Sequence, residues 1–259
     1  MLAGDLALGV AIRIARTAEI VPALQSAGAD WLFLDLEHGP LSIDTASQIA
    51  VTALQAGMTP IARVPNGEFG MATRMLDNGA LGLVMPHVDT ADEARLLVQK
   101  LRFPPGGTRS VFGGMPQFGF MPRPIRDTSE ILNRETLVIA MLETAEAIEN
   151  APEIAAVPGI DVLFIGTNDL CAELGIPGEF GHPSVASAYQ RTIDACRANH
   201  KWSGMGGLYD DALMGKFIDA GVQFVLAGSD LSFMLGSART KVSQLKSKSP
   251  AARQQSRTA

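Results

Sequence analysis

Two carboxylates pose the chemical question in this chain. Glu143 follows the apolar run Leu137-Val-Ile-Ala-Met-Leu142, and Asp169 stands just past Asp161-Val-Leu-Phe-Ile-Gly166. Each run is too short for a helix and rich in Val, Ile and Leu, the pattern of a buried parallel strand. Between them, residues 144–157 open on Thr-Ala-Glu-Ala-Ile-Glu, which suits a first helical turn. A strand-helix-strand unit brings the C-terminal ends of both strands to one side. Glu143 and Asp169 are therefore expected to converge, and a convergent carboxylate pair suits a divalent metal. Mg²⁺ or Mn²⁺ fits oxygen ligands best, with Co²⁺ a workable substitute, and open positions remain for a substrate.

Other polar residues gather at similar places. Asp35, Glu37 and His38 follow the run Trp31-Leu-Phe-Leu, Arg63 ends Thr59-Pro-Ile-Ala, and His87 and Asp89 follow Leu83-Val-Met-Pro86. Histidine is the side chain whose charge change falls nearest neutral pH, so His38 suits proton transfer. A planar guanidinium such as Arg63 can hold a carboxylate through two hydrogen bonds, or pair with a neighbouring acid. Asp77 falls near a helix C-terminus, where the dipole disfavours a carboxylate, so it reads either as a group with a partner or as a plain surface carboxylate. A Schiff-base mechanism needs a lysine at the strand ends. The six lysines (Lys100, Lys201, Lys216, Lys241, Lys246 and Lys248) fall on or after helices, or at the start of a strand. A covalent imine is not expected.

The elements that must position these groups recur as strand and helix. Strands are expected at 6–14, 31–35, 59–64, 81–86, 137–142, 161–166, 201–205 and 223–227. Helices are expected at 17–27, from Ser42 or Asp44 to near Gly57, at 68–78, 91–101, 184–199 and 210–220, and after Asp230. Eight repeats within 259 residues fit one α/β domain, a (β/α)₈ TIM barrel over residues 1–245. Barrel chemistry sits on the loops after the strands, where Asp35, Glu37, His38, Arg63, His87, Asp89, Glu143 and Asp169 all fall. Residues 103–134, rich in Gly and Pro, break the rhythm and read as an active-site cover.

Composition narrows the class. The chain is 47% hydrophobic and 19% charged with net charge −6, so nucleic acid is not an expected partner. Cys171 and Cys196 form no Cys-x-x-Cys pattern, which suits reduced thiols in the cytoplasm. There is no signal-peptide pattern and no apolar run long enough to span a bilayer. Residues 246–259 are polar and basic, and are expected to be a disordered tail.

Taken together, Trp31-Leu-Phe-Leu-Asp35-Leu-Glu37-His38, Arg63, Val84-Met-Pro-His-Val-Asp89-Thr, Phe103-Pro-Pro-Gly-Gly-Thr-Arg109, Glu143 and Phe164-Ile-Gly166-Thr-Asn-Asp169-Leu resemble the HpcH/HpaI aldolase family. So do Leu174-Gly175 and Gly181-His182-Pro183. These are class II pyruvate aldolases, among them 2,4-dihydroxyhept-2-ene-1,7-dioate aldolases. The resemblance implies a barrel of the phosphoenolpyruvate/pyruvate-binding type and cleavage of a 4-hydroxy-2-oxo acid to pyruvate and an aldehyde. It implies a metal on Glu143 and Asp169, a metal-stabilised enolate, and a carboxylate grip by Arg63. It further implies a base in His38, oriented by Asp77 with Asp35 nearby, and backbone amides offered by Gly166, Thr167 and Asn168. A homo-oligomer, trimer or hexamer, is implied as well.

Thr167 and Cys171 replace the Pro and Ser of many members, and Leu36 and Arg13 are also departures. The aldehyde end is expected to be set by Arg13, Leu36, Leu208 and the 103–134 segment, with Arg13 gripping an anionic group or closing a rim salt bridge. Two other readings compete: a CoA-thioester lyase resembling the citrate lyase β subunit, and a barrel that binds a 2-oxo acid without turnover.

Overall fold

Residue parity along the strands decides what this fold does with its polar groups. The computed structural model describes residues 5–248. In chain order the elements are β1 (Ala7–Ile12), α1 (Ile20–Ser26), β2 (Trp31–Asp35), α2 (Ile43–Gln55), β3 (Thr59–Arg63), α3 (Phe69–Asp77), β4 (Gly82–Met85) and α4 (Ala91–Leu101). Next come α5 (Ile125–Glu135), β5 (Leu137–Leu142), α6 (Ala145–Glu149), α7 (Ala151–Ala155), β6 (Val162–Gly166) and α8 (Thr167–Glu173). The chain continues through α9 (Pro183–Ala198), β7 (Trp202–Gly206), α10 (Asp211–Ala220), β8 (Phe224–Ser229) and α11 (Asp230–Lys246). The eight strands pair in parallel, in sequence order, and β8 closes on β1. This is the expected (β/α)₈ barrel.

Successive side chains on a strand face opposite ways. Leu32, Leu34, Ala62, Leu83, Val138, Ala140, Leu163 and Ile165 face the helices in the outer core. Trp31, Phe33, Ile61, Val84, Ile139, Met141, Val162, Phe164, Phe224 and Leu226 fill the barrel interior. The indole of Trp31 stacks on Phe224 with centroids 4.2 Å apart, and Phe33 stacks on Phe164 at 6.4 Å. Such bulk fits because Gly9 on the neighbouring strand has no side chain. A Cβ there would fall inside the Trp31 ring.

Helix boundaries follow local chemistry. Ser42 accepts the Thr45 amide to start α2, and Thr90 and Glu93 form a capping box at α4. Gly28 and Gly79, both at positive φ, close the turns after α1 and α3. The spacer after β5 divides into α6 and α7 at Asn150, with Pro152 near the start of the second helix.

The 103–134 segment departs from expectation twice. It contains α5, whose buried residues are Thr128, Ser129 and Leu132. With only one large apolar residue on that face, the helical period does not stand out. The segment also lies at the far end of the barrel from the strand C-termini. Arg102 donates to the carbonyls of Asn133 and Thr136 and to Asp161, all just before β5 or β6. Gln117 donates to the carbonyls of Leu76 and Ala80, just before β4. The segment therefore does not cover the pocket of its own chain. Lys246 closes α11, and the rest of the expected tail from residue 249 lies outside the described residues.

The packing of Trp31 generates a test. Gly9→Ala should lower the unfolding free energy by roughly 1–3 kcal/mol, the usual cost of overpacking a dense core. Urea denaturation would show it as a lower midpoint at unchanged slope; an unchanged midpoint would mean the indole can yield.

Candidate active site

The inward series of four strands, β2, β3, β5 and β6, leads to a residue of the candidate site. Asp35 continues Trp31 and Phe33, Arg63 continues Ile61, and Glu143 continues Ile139 and Met141. Gly166 continues Val162 and Phe164 in the same way. All four therefore meet at the C-terminal mouth of the barrel, where a cavity of about 200 Å³ opens. Arg13, Asp35, His38, Arg63, Met141, Gly166, Asn168, Asp169, Tyr209 and Ser229 line it. A larger groove of about 640 Å³ lies at the opposite end, around Trp202 and Val222, away from every candidate group.

Asp35 and Arg63 form a buried, two-pronged ion pair. Arg63 donates from Nε to Asp35 Oδ1 at 3.1 Å and from Nη2 to Oδ2 at 2.8 Å. Its Nε also lies 3.2 Å from Glu37 Oε2, and its Nη1 faces the Met141 sulfur at 3.9 Å. Asp35 further accepts the backbone N–H groups of Glu37 and His38, each at 3.2 Å. Burial pushes the Asp35 carboxyl up, but Arg63, the His38 amide and Arg13 together outweigh it and hold the group below its ordinary value. Arg63 is pushed down by burial and more strongly up by Asp35, Glu37 and Glu143.

His38 is half-exposed at the mouth, with Nε2 3.7 Å from Glu37 Oε2. Glu37, not Asp77, is thus the carboxylate beside it. Asp77 sits at the end of α3, at the opposite end of the barrel, and accepts a 2.7 Å hydrogen bond from Arg109. Within this chain it does not orient His38. Of the two readings, a paired or a plain surface carboxylate, the first holds: its partner is that guanidinium, which also stacks on Phe103.

Glu143 is 2% exposed, and its Oε2 accepts the His87 backbone N–H at 3.1 Å. His87 holds that amide in place from a left-handed conformation, φ 50°. A Cβ on residue 166 would collide with Glu143 Oε1, so the glycine leaves the carboxylate its space. Burial pushes the Glu143 carboxyl up to about 7; the Asp169 charge adds to this while His87 and Arg63 oppose it. Asp169 belongs to the first turn of α8, whose leading N–H groups have no partners inside the helix. Thr167 turns its hydroxyl away from the cavity to Tyr189 and the Gly206 carbonyl, 2.8 Å from each, so only its backbone amide could serve a substrate.

At the aldehyde end, Leu36 and Leu208 are both buried in the outer core rather than lining the cavity. Tyr209, Ser229 and Glu37 are the groups sequence reasoning left out of the site. Glu37 had a signal, its place between Asp35 and His38. Tyr209 and Ser229, in the loops after β7 and β8, had none.

A family model described as HpcH/HpaI aldolase/citrate lyase matches residues 14–236. The 4-hydroxy-4-methyl-2-oxoglutarate aldolase tasA of Hapsidospora irregularis is 40% identical over 80% of this chain and 78% of its own length. A hydroxypyruvate/pyruvate aldolase of Paraburkholderia phytofirmans is 34% identical, covering 87% of this chain and 88% of its own. The crystal structure of an HpcH/HpaI aldolase from Desulfitobacterium hafniense superposes with a TM-score of 0.89 at 28% identity, over 96% of this chain and 95% of that one.

The buried ion pair generates its own prediction. Asp35→Asn leaves Arg63 without its main counter-charge and should cost roughly 3 kcal/mol at pH 7. Because the folded value of Asp35 is depressed, this stability is fully present above the unfolded value of about 3.9 and is lost as pH falls through the folded value. Urea midpoints should show a constant gap between wild type and variant from pH 7 to about 5, narrowing below about 4. Equal stability at pH 7 would refute the assignment.

Proposed function

The chain belongs to the HpcH/HpaI aldolase/citrate lyase family and is an aldolase, a carbon–carbon lyase, and from that premise we propose that it cleaves a 4-hydroxy-2-oxo acid reversibly to pyruvate and an aldehyde or ketone with a divalent metal. The observation that carries the reading is the convergence of Asp35, Arg63, Gly166 and Asp169 on one cavity, with Glu143 behind Gly166 and no lysine on the lining.

The donor set fits a Mg²⁺ or Mn²⁺ ion. Around the mouth, four carboxylates (Asp35, Glu37, Glu143 and Asp169) face two guanidiniums (Arg13 and Arg63), and a doubly charged cation would balance the excess. Among the described residues no cluster of three His, Cys, Asp or Glu side chains stands ready to hold a metal. Glu143 and Asp169 would hold the ion, and when bound it would supply positive charge at the ketone oxygen of the substrate.

The chain's own residues do the rest. Arg63 offers its uncommitted Nη1 to the 2-oxo acid carboxylate, and first-turn amides of α8 with Asn168 steady the same end. In the cleavage direction His38, directly or through water, takes the proton of the 4-hydroxyl. The C3–C4 bond breaks, its electron pair passes to the pyruvate enolate, and the acceptor leaves with a new carbonyl. A proton returned to C3 completes pyruvate. Glu37 is the carboxylate that faces His38.

Assembly and setting belong to the same proposal. Helix α11 buries none of its residues in the chain and leaves Phe233, Met234 and Leu245 exposed, which supports a homo-oligomer, trimer or hexamer. Among the described residues no helix is long and apolar enough to cross a membrane. Cys171 and Cys196 are buried free thiols, as suits the cytoplasm.

Exchange of the pyruvate methyl protons with solvent deuterium tests the half-reaction without any acceptor. With Mg²⁺ or Mn²⁺ the methyl proton signal should disappear; excess EDTA or Glu143→Ala should stop the loss. His38→Ala should slow it by roughly 10²–10⁴-fold, the usual worth of a positioned base. Borohydride should trap nothing. No exchange in metal-replete protein would remove the aldolase reading, and exchange surviving Glu143→Ala would remove the site.

A further inference from the structure

Arg13 is the other guanidinium on the cavity wall, and its surroundings differ from those of Arg63. It occupies the inward position after Gly9 and Ala11, just past β1. Its backbone N–H donates to Asp230 at 2.9 Å, and those of Ile14 and Ala15 donate to the same carboxylate at 3.0 and 2.8 Å. Three successive amides on one charged acceptor pin the turn, so the side chain is launched from a fixed point. Its Nη1 lies 3.6 Å from Asp35 Oδ2, too far for a hydrogen bond, and the side chain is 39% exposed.

Among the described residues, Asp35 is the only acid within 4 Å of the Arg13 guanidinium. That oxygen is already taken by Arg63 at 2.8 Å. Most of the five donors of Arg13 therefore remain for whatever enters the mouth. Tyr209 and Asn168, on the same cavity, add neutral polar groups. No such arrangement is needed to hold a small neutral aldehyde. It suits a second planar anion, beside the one that Arg63 receives, since both guanidiniums flank the same Asp35 oxygen.

We propose that Arg13 is a specificity residue that grips a carboxylate on the acceptor half of the substrate, with Asp230 as its positioning residue. The substrate class is then a 4-hydroxy-2-oxo dicarboxylate, and the acceptor released on cleavage is an oxo acid. This rests on the aldolase reading above.

Condensation with pyruvate, using matched acceptors that differ in one carboxylate, tests it: glyoxylate against acetaldehyde, and succinic semialdehyde against butanal. Wild type should favour the carboxylated member by kcat/KM in at least one pair. In the pair with the larger preference, Arg13→Met should reduce the ratio roughly 10- to 100-fold, the usual value of hydrogen bonds to a charged group. The neutral member serves as the internal control for a merely structural change. Arg13→Lys should keep a larger share of the preference than Arg13→Met, and Arg13→Glu a smaller one. A ratio indifferent to the charge at residue 13, or a wild type favouring neutral acceptors in both pairs, would overturn the proposal while leaving the aldolase reading standing. Failure of wild type to exchange pyruvate methyl protons would instead bring down the aldolase reading on which it rests.

Discussion

The mouth of the barrel is organised by one buried charge pair. Asp35 and Arg63 lie on adjacent strands at matched register, so their side chains emerge side by side and the guanidinium meets the carboxylate through two hydrogen bonds. Neither charge could be buried there alone. The same carboxylate accepts the amides of Glu37 and His38, so the loop that carries the proposed base is folded around it. Arg63 in turn draws Glu37 inward, which places that carboxylate beside His38. Ion pair, loop conformation and the surroundings of the base are one construction.

How much of this was legible in the sequence follows from what each feature depends on. Strand order and the rim location of Asp35, His38, Arg63, Glu143 and Asp169 depend on short apolar runs and on the parity of side chains, both visible in one dimension. The short helix α8 and the polar α5 were poorly visible, because little of their length is strongly apolar, and the helical spacer 144–157 gave no sign of its division into α6 and α7. Asp77 was misplaced for a different reason: a helix in this fold returns to the far end of the barrel, so its C-terminal carboxylate leaves the rim and meets Arg109. The 103–134 segment was misread in the same way, since it follows the end of α4 and inherits that location. Leu36 and Leu208 belong to loops at the rim, but their side chains pack outward under the helices, which loop position alone does not reveal.

Charge sets the order in which this pocket can be filled. The mouth already holds more carboxylate than guanidinium, so a 2-oxo acid entering alone would add to an uncompensated negative field. A doubly charged cation held by Glu143 and Asp169, as proposed, would reverse that and make acceptance of the substrate conditional on it. Arg63 cannot give up Asp35 to receive a ligand, because a buried carboxylate would be stranded at a cost of several kcal/mol. The edge still open to a substrate is Nη1, which faces only the sulfur of Met141, a weak acceptor easily exchanged for a carboxylate oxygen. In the proposed reaction one end of the substrate would thereby be fixed by a guanidinium that is itself immobilised by Asp35. A rigid grip at that end would let the proposed base, a half-exposed imidazole, act on a defined hydroxyl, since alignment would then depend on the buried pair.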